Sequence, residues 1–240
     1  MHRLALAIAL TVAPPALAFE TAPIQNHGAK WMRDSVEFRL LTTQVFRAAE
    51  TSVRAQAADL RRNQDWAVVL DIDETVLDNT TYFLARHAYG LQFDWESWDA
   101  WCERRVAEPI PGAQEFVAAV REEGGRVVWI TNRHERTRQA TVDNLEIHDM
   151  WDDEDILCLL TDDDAYTKRV RRTEARTGEG ACAWEGTEVQ VLAYIGDTRH
   201  DLPEEGEDGD FMEDLNVRNF IIPNAIYGDW EHGVIWYRDR

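Results

Sequence analysis

Residues 66–79 read W-A-V-V-L-D-I-D-E-T-V-L-D-N, and the order of residue types in them sets the architecture. Ala67 to Leu70 is a short apolar, β-branched run, which suits a strand buried on both faces of a parallel sheet. It stops at Asp71, Ile72 and Asp73. Two carboxylates at the carboxyl end of a buried strand are costly unless they are paired or hold a cation. In open α/β sheets that edge is also where ligands bind. The run therefore points to a metal-assisted site with a carboxylate able to act as nucleophile. Spacing alone carries little of this. With 23 Asp in 240 residues, chance supplies roughly two Asp-x-Asp pairs. Four occur, and only Asp71/Asp73 closes a Val/Leu run. Asp153/Asp155, Asp162/Asp164 and Asp208/Asp210 read as solvated acidic loops.

Apolar spacing at Val36, Leu40, Leu41, Val45, Ala48, Ala49 and Val53 predicts one long or two shorter helices over 34–60, capped by Asp34 or Ser35. After the first strand comes an aromatic segment without a second Val-rich run, carrying Tyr82, Phe83, Tyr89, Phe93, Trp95, Trp98 and Trp101. The three tryptophans, at i, i+3 and i+6, are expected to share a helical face. That face either packs on the core or stacks on a flat substrate group. A helix over 113–123 ends at Gly124-Gly125. Strands follow at 126–132 (R-V-V-W-I-T-N), 155–160, 189–195 (V-Q-V-L-A-Y-I) and 217–222, with a helix at 134–148. The βα alternation predicts a parallel sheet with helices on both faces. Of 25 basic residues only Lys30 and Lys168 are lysine, so a lysine at 168 stands out.

The run V-L-D-I-D-E-T-V-L-D-N-T-T-Y at 69–82 resembles the first motif of the haloacid dehalogenase (HAD) superfamily, and more narrowly that of the class C acid phosphatases and 5'-nucleotidases of subfamily IIIB. V-x-I-T-N-R at 128–133 matches the second motif, Lys168 stands where the third places its lysine, and G-D-T-R-H-D at 196–201 matches the fourth. The tail P-N-A-I-Y-G-D-W-E at 223–231 is similar to the class C carboxyl-terminal segment. The sequel Asp201-Leu202-Pro203 departs from the family pattern and puts the next helix in doubt. The resemblance implies a Rossmann-like core over 65–240, a small α-helical cap inserted at about 79–110, and an amino-terminal helical segment at 19–64. It implies Asp71 as nucleophile and Asp73 as general acid and base. It further implies Mg2+ held by Asp71, by the Asp73 backbone carbonyl and by Asp197, with Asp201 reaching the ion through water. Thr131, Asn132 and Lys168 would bind the phosphoryl oxygens. Tyr227 and Trp95 are the aromatic candidates for a substrate ring. The expected activity is acid phosphomonoester hydrolysis, with 5'-nucleotides and aryl phosphates as substrates. The alternatives are a phosphotransferase on the same fold and a non-catalytic exported binder of divalent ions.

Residues 1–18 combine a basic start, an apolar run from Leu4 to Ala13 and a closing Ala16-Leu17-Ala18. This fits a cleavable secretory signal, and the run is too short to span a bilayer. No Cys follows it, which argues against a lipid anchor. The expected mature chain begins near Phe19 and is periplasmic or secreted. A formal charge of −20 and a pI of about 4.6 argue against nucleic acid and anionic membrane as partners. They also require local cations wherever a phosphate binds. Cys102, Cys158 and Cys182 allow at most one intramolecular disulfide.

Overall fold

The computed structural model describes residues 26–60, 64–163, 165–204, 206–207, 209 and 211–232; the expected signal at 1–18 lies outside them. Helix α1 (His27–Asp34) starts on Asn26, whose side chain accepts from the Ala29 amide at 2.8 Å. Ser35 ends α1 and opens α2 (Val36–Asp59), its hydroxyl accepting from the Phe38 amide at 3.0 Å. The stretch predicted over 34–60 is therefore one long helix, α2, capped by Ser35, and α1 is a separate helix before it that the apolar spacing does not include. Phe38, Thr42, Phe46, Ala49 and Val53 bury one face of α2 at helical spacing.

Strand β1 (Trp66–Leu70) is buried at every position. A two-stranded antiparallel ribbon then leaves and re-enters the core, with β2 (Leu77–Asp78) before helices α3 (Thr80–Ala88) and α4 (Trp95–Cys102), and β3 (Glu108–Pro109) after them. The two helices form the cap segment. Trp98 and Trp101 are buried, whereas Trp95 is 45% exposed. Positions i and i+6 lie about 120° apart on a helix, so the three rings do not share one face as expected.

The remainder alternates: α5 (Ala113–Glu122), β4 (Arg126–His134), α6 (Arg138–Ile147), β5 (Ile156–Leu160), α7 (Lys168–Thr177), β6 (Gln190–Gly196) and β7 (Asn219–Ile221). The sheet order is β5-β4-β1-β6-β7, and all pairings are parallel. Chain order reverses between β1 and β6, which makes their carboxyl ends the switch point of an open α/β sheet. Side chains alternate between two packed layers. Val68, Leu70, Val127, Trp129 and Leu192 join Phe38, Phe46, Phe116 and Val117 on one face. Ala67, Val69, Val128, Ile130 and Val191 join Ala175, Cys182 and Leu202 on the other. Each buried Val, Leu, Ile or Phe among them contributes about 1.5–3 kcal/mol by leaving water. Cys158 of β5 is bonded to Cys182, and Cys102 is a buried free thiol.

Three expectations need correction. Strand β4 runs past Asn132 to His134, with a register irregularity between Ile130 and His134, so the following helix starts only at Arg138. Asp155 is not a solvated loop residue. Its carboxylate accepts from Arg121 Nη1 at 3.0 Å, Arg121 Nη2 at 2.7 Å and the Trp129 indole at 2.9 Å, with its side chain fully buried. The fifth strand is shorter than predicted, at three residues.

Candidate active site

The carboxyl ends of β1 and β6 are adjacent because the two strands pair in register up to Leu70 and Ile195. The Asp71 amide continues that pairing, donating to the Ile195 carbonyl at 3.0 Å. Asp71 and Asp197 thus emerge side by side from the buried carboxyl ends of these two strands. Asp201, on the single turn after β6, completes a group that brings one carboxylate oxygen from each residue within 4.8 Å of the other two. Gly196 is what lets Asp201 fold back this closely. A β-carbon at 196 would sit 2.0 Å from that of Asp201. Thr198 fixes the turn, donating to Asp201 Oδ2 from its amide and hydroxyl, both at 2.8 Å.

Lys168, the first residue of α7, inserts its ammonium between Asp71 Oδ1, at 2.7 Å, and Asp201 Oδ1. Thr75 and Asn224 hold Asp197 from either side, at 3.1 Å and 2.7 Å. Burial pushes the Asp71 carboxyl up to about 6, although Lys168 opposes it. Burial, then the charges of Asp201 and Asp71, raise Asp197 well above the usual carboxylate range. Three buried carboxylates with one ammonium among them are an anionic excess that a bound cation would relieve. The donors are all hard oxygens, as magnesium or a similar ion prefers.

Asp73 points to a different partner. Arg133, fully buried, forks onto it with Nη2 at 2.8 Å and Nε at 3.0 Å from Oδ1, and Asn79 donates to the same oxygen at 3.0 Å. Oδ2 is held more loosely, by Arg133 Nε at 3.2 Å and Thr131 Oγ1 at 3.4 Å. Asn79 is oriented in turn by the Trp101 indole at 2.8 Å. Thr131 and Asn132 lie at the sheet edge beside these groups, Thr131 buried and Asn132 exposed. Arg171 secures both, donating to the Thr131 carbonyl at 2.6 Å and to Asn132 Oδ1 at 2.8 Å. Among the described residues no carboxylate forms an ion pair with Arg171, so it adds a cation beneath the pocket.

The pocket above these groups has a volume of about 900 Å³. Asp71, Asp73, Thr131, Asn132, Lys168 and Asp197 line its polar floor, and Phe83, Phe93, Trp95, Trp98, Tyr166 and Tyr227 its walls. Tyr227 is half-buried, 5.4 Å from the Phe83 ring, and its hydroxyl donates to Glu74 at 2.7 Å. Glu74 takes a left-handed backbone, φ 58°, is wholly buried, and also accepts from the Asn79 amide at 2.8 Å. Burial and the neighbouring Asp73 push its carboxyl up to about 8.

Every residue singled out from sequence therefore lies in or beside one cavity, apart from two differences in grouping. Asp201 stands with Asp71 and Asp197 as a carboxylate of the cluster itself, and the Asp73 side chain is turned to Arg133. Sequence reasoning missed Glu74, Asn79, Thr75, Arg171 and Asn224. Arg133 is legible in the sequence as the residue after T-N and as the first alternative cation to Lys168, but not as the partner of Asp73.

The family described as HAD superfamily, subfamily IIIB (Acid phosphatase), matches residues 8–230. Acid phosphatase 1 of Solanum lycopersicum is 28% identical over 179 residues, 74% of this chain; the chain spans 65% of that relative's length. The class C acid phosphatase of Bacillus anthracis superposes with a TM-score of 0.69 at 25% identity, with 85% of each chain covered. A second structure of that enzyme, with tungstate bound, gives 0.70 at 24% identity and the same coverage. The fold, the motif order and these matches agree, and the chain belongs to the subfamily IIIB acid phosphatases of the HAD superfamily.

Proposed function

We propose that this protein is an exported, Mg2+-dependent acid phosphatase that cleaves phosphomonoesters in two steps through Asp71. The observation that carries the reading is the contact of Asp71 with Lys168 beside Asp197 and Asp201, at the floor of a cavity large enough for a nucleotide. Asp71 Oδ attacks phosphorus, the P–O bond to the leaving group breaks, and an aspartyl-phosphate forms. Asp73 supplies a proton to the departing oxygen and later takes one from the hydrolytic water. Its less engaged Oδ2 is the oxygen suited to this, because Arg133 and Asn79 pin Oδ1 and fix the plane of the group. Lys168, Thr131 and the Asn132 amide bind the transferring phosphoryl oxygens. Asp71, Asp197 and the Asp73 carbonyl would hold Mg2+, with Asp201 beside them, and the ion would supply charge neutralisation to the phosphoryl group.

Aromatic walls including Tyr227 and Trp95 support nucleoside 5'-monophosphates and aryl phosphates as substrates, since stacking on a base contributes about 1–3 kcal/mol. Export is supported by the pattern of residues 1–18 and by the Cys158–Cys182 bond, which suits an oxidising compartment. The test is hydrolysis of 4-nitrophenyl phosphate by the mature protein before and after chelation with EDTA. Turnover should vanish and return on adding Mg2+. Undiminished turnover after thorough chelation would remove the metal from the reading.

A further inference from the structure

The wall residue Trp95 is the exposed one of the three cap tryptophans, and the structure shows what it leans on. Its ring lies 4.4 Å from the imidazole of His134 and 5.1 Å from Phe93. His134 belongs to the core, at the end of β4, two residues beyond Asn132. The same imidazole is bound through Nδ1 to Asp99 Oδ1 at 2.8 Å, and Asp99 sits on α4 of the cap, one turn after Trp95. Arg136 closes on the other oxygen of Asp99. His134 and Asp99 are both largely shielded from solvent, at 17% and 13% side-chain exposure. One core histidine thus joins the cap by a hydrogen bond and braces the aromatic wall by a tilted ring contact, the two planes 49° apart.

We propose that His134, held by Asp99, is a positioning residue that sets Trp95 as the wall of the substrate pocket and so determines selectivity for flat leaving groups. This rests on the phosphatase reading above. Neither His134 nor Asp99 lines the cavity, so neither touches substrate; both act through Trp95. An imidazole suits the position because it is both a flat ring that packs against the indole and a hydrogen-bonding group. Without it, Phe93 is the one ring left in contact with Trp95 among the described residues, and the indole can rotate away from the pocket.

The experiment compares kcat/KM for adenosine 5'-monophosphate with that for glycerol 2-phosphate in the Mg2+-loaded protein. His134→Ala should lower this ratio by about five- to tenfold, through KM more than kcat. Trp95→Ala should lower it by a similar factor. The double variant should fall no further than Trp95→Ala, because the two residues act in series. His134→Asn can still donate to Asp99 but offers no ring, and should recover part of the loss; it also serves should His134→Ala fail to fold. An unchanged ratio in both His134 variants, or additive losses in the double variant, would overturn the inference. The same ratios read from dissociation constants by calorimetry decide it without turnover. Absence of hydrolysis by the unaltered protein would overturn the phosphatase reading alone.

Discussion

At the scale of single residues, Lys168 is the most informative side chain. Its ammonium bridges Asp71 and Asp201, and among the described residues no other cation is hydrogen-bonded to either. A guanidinium is larger, planar and forked, so Lys168→Arg keeps the charge and loses the fit. We expect kcat/KM to fall by at least a hundredfold with the melting temperature little changed; near-normal kinetics would move the phosphoryl-binding cation to Arg133 or Arg171. Cys102 gives a second check at this scale. It is buried in α4, and burial pushes its thiol up to about 12. It should be unreactive to a thiol reagent at pH 8 in the native protein. One thiol should appear in denaturant and three only after reduction, because Cys158 and Cys182 are bonded. Residues with chemistry of their own, such as Asp71, Asp73 and Lys168, were legible because they stand at motif positions of the family that the sequence resembles, the first two directly after a Val/Leu run. Glu74 and Arg171 were not. Their value lies in which carbonyl or hydroxyl they reach, and that is set by tertiary contact. Asn224, which holds Asp197 across 27 residues of chain, gives no local signal at all.

At the scale of elements, alternation of apolar and polar runs located all five core strands, since each holds a short apolar run bounded by polar residues. Their ends were less legible. β4 overruns its apolar stretch because Arg133 and His134 find partners in Asp73 and Asp99 rather than in water. Asp155 misled for the same reason: in a run of acids it alone turns inward. It ties α5, β4 and the start of β5 through Arg121 and the Trp129 indole. Asp155→Ala should therefore cost about 3–5 kcal/mol, since it leaves a guanidinium and an indole N–H without their acceptor. Differential scanning calorimetry would read this as a melting point lower by roughly 5 °C or more. A change under 1 °C would mean that water replaces the carboxylate.

At the scale of the whole molecule, the site depends on both ends of the described chain. The loop carrying Asn224 and Tyr227 lies against α1, where the Ala225 amide donates to Met32 Sδ at 3.4 Å. Gly28 permits that approach, because a β-carbon there would collide with the Ala225 carbonyl at 1.6 Å. Gly28→Ala should displace the loop, weaken the grip of Asn224 on Asp197, and raise the Mg2+ concentration needed for half-maximal turnover severalfold. An unaltered metal requirement would show that the loop is held by Tyr227 and Glu74 alone. The same arrangement has a consequence for the timing of synthesis. The strand that presents Asp71 is made about 150 residues before Asn224, and domains complete their packing only when the chain that fills them is present. A nascent chain thus carries both aspartates of the first motif without the residue that steadies Asp197. A chain ended after Ile222 should fold its sheet, as circular dichroism would show, yet hydrolyse nothing; turnover by that fragment would refute the dependence. The grip on Asp197 thus forms only once residue 224 has been made, long after the strand that presents Asp71.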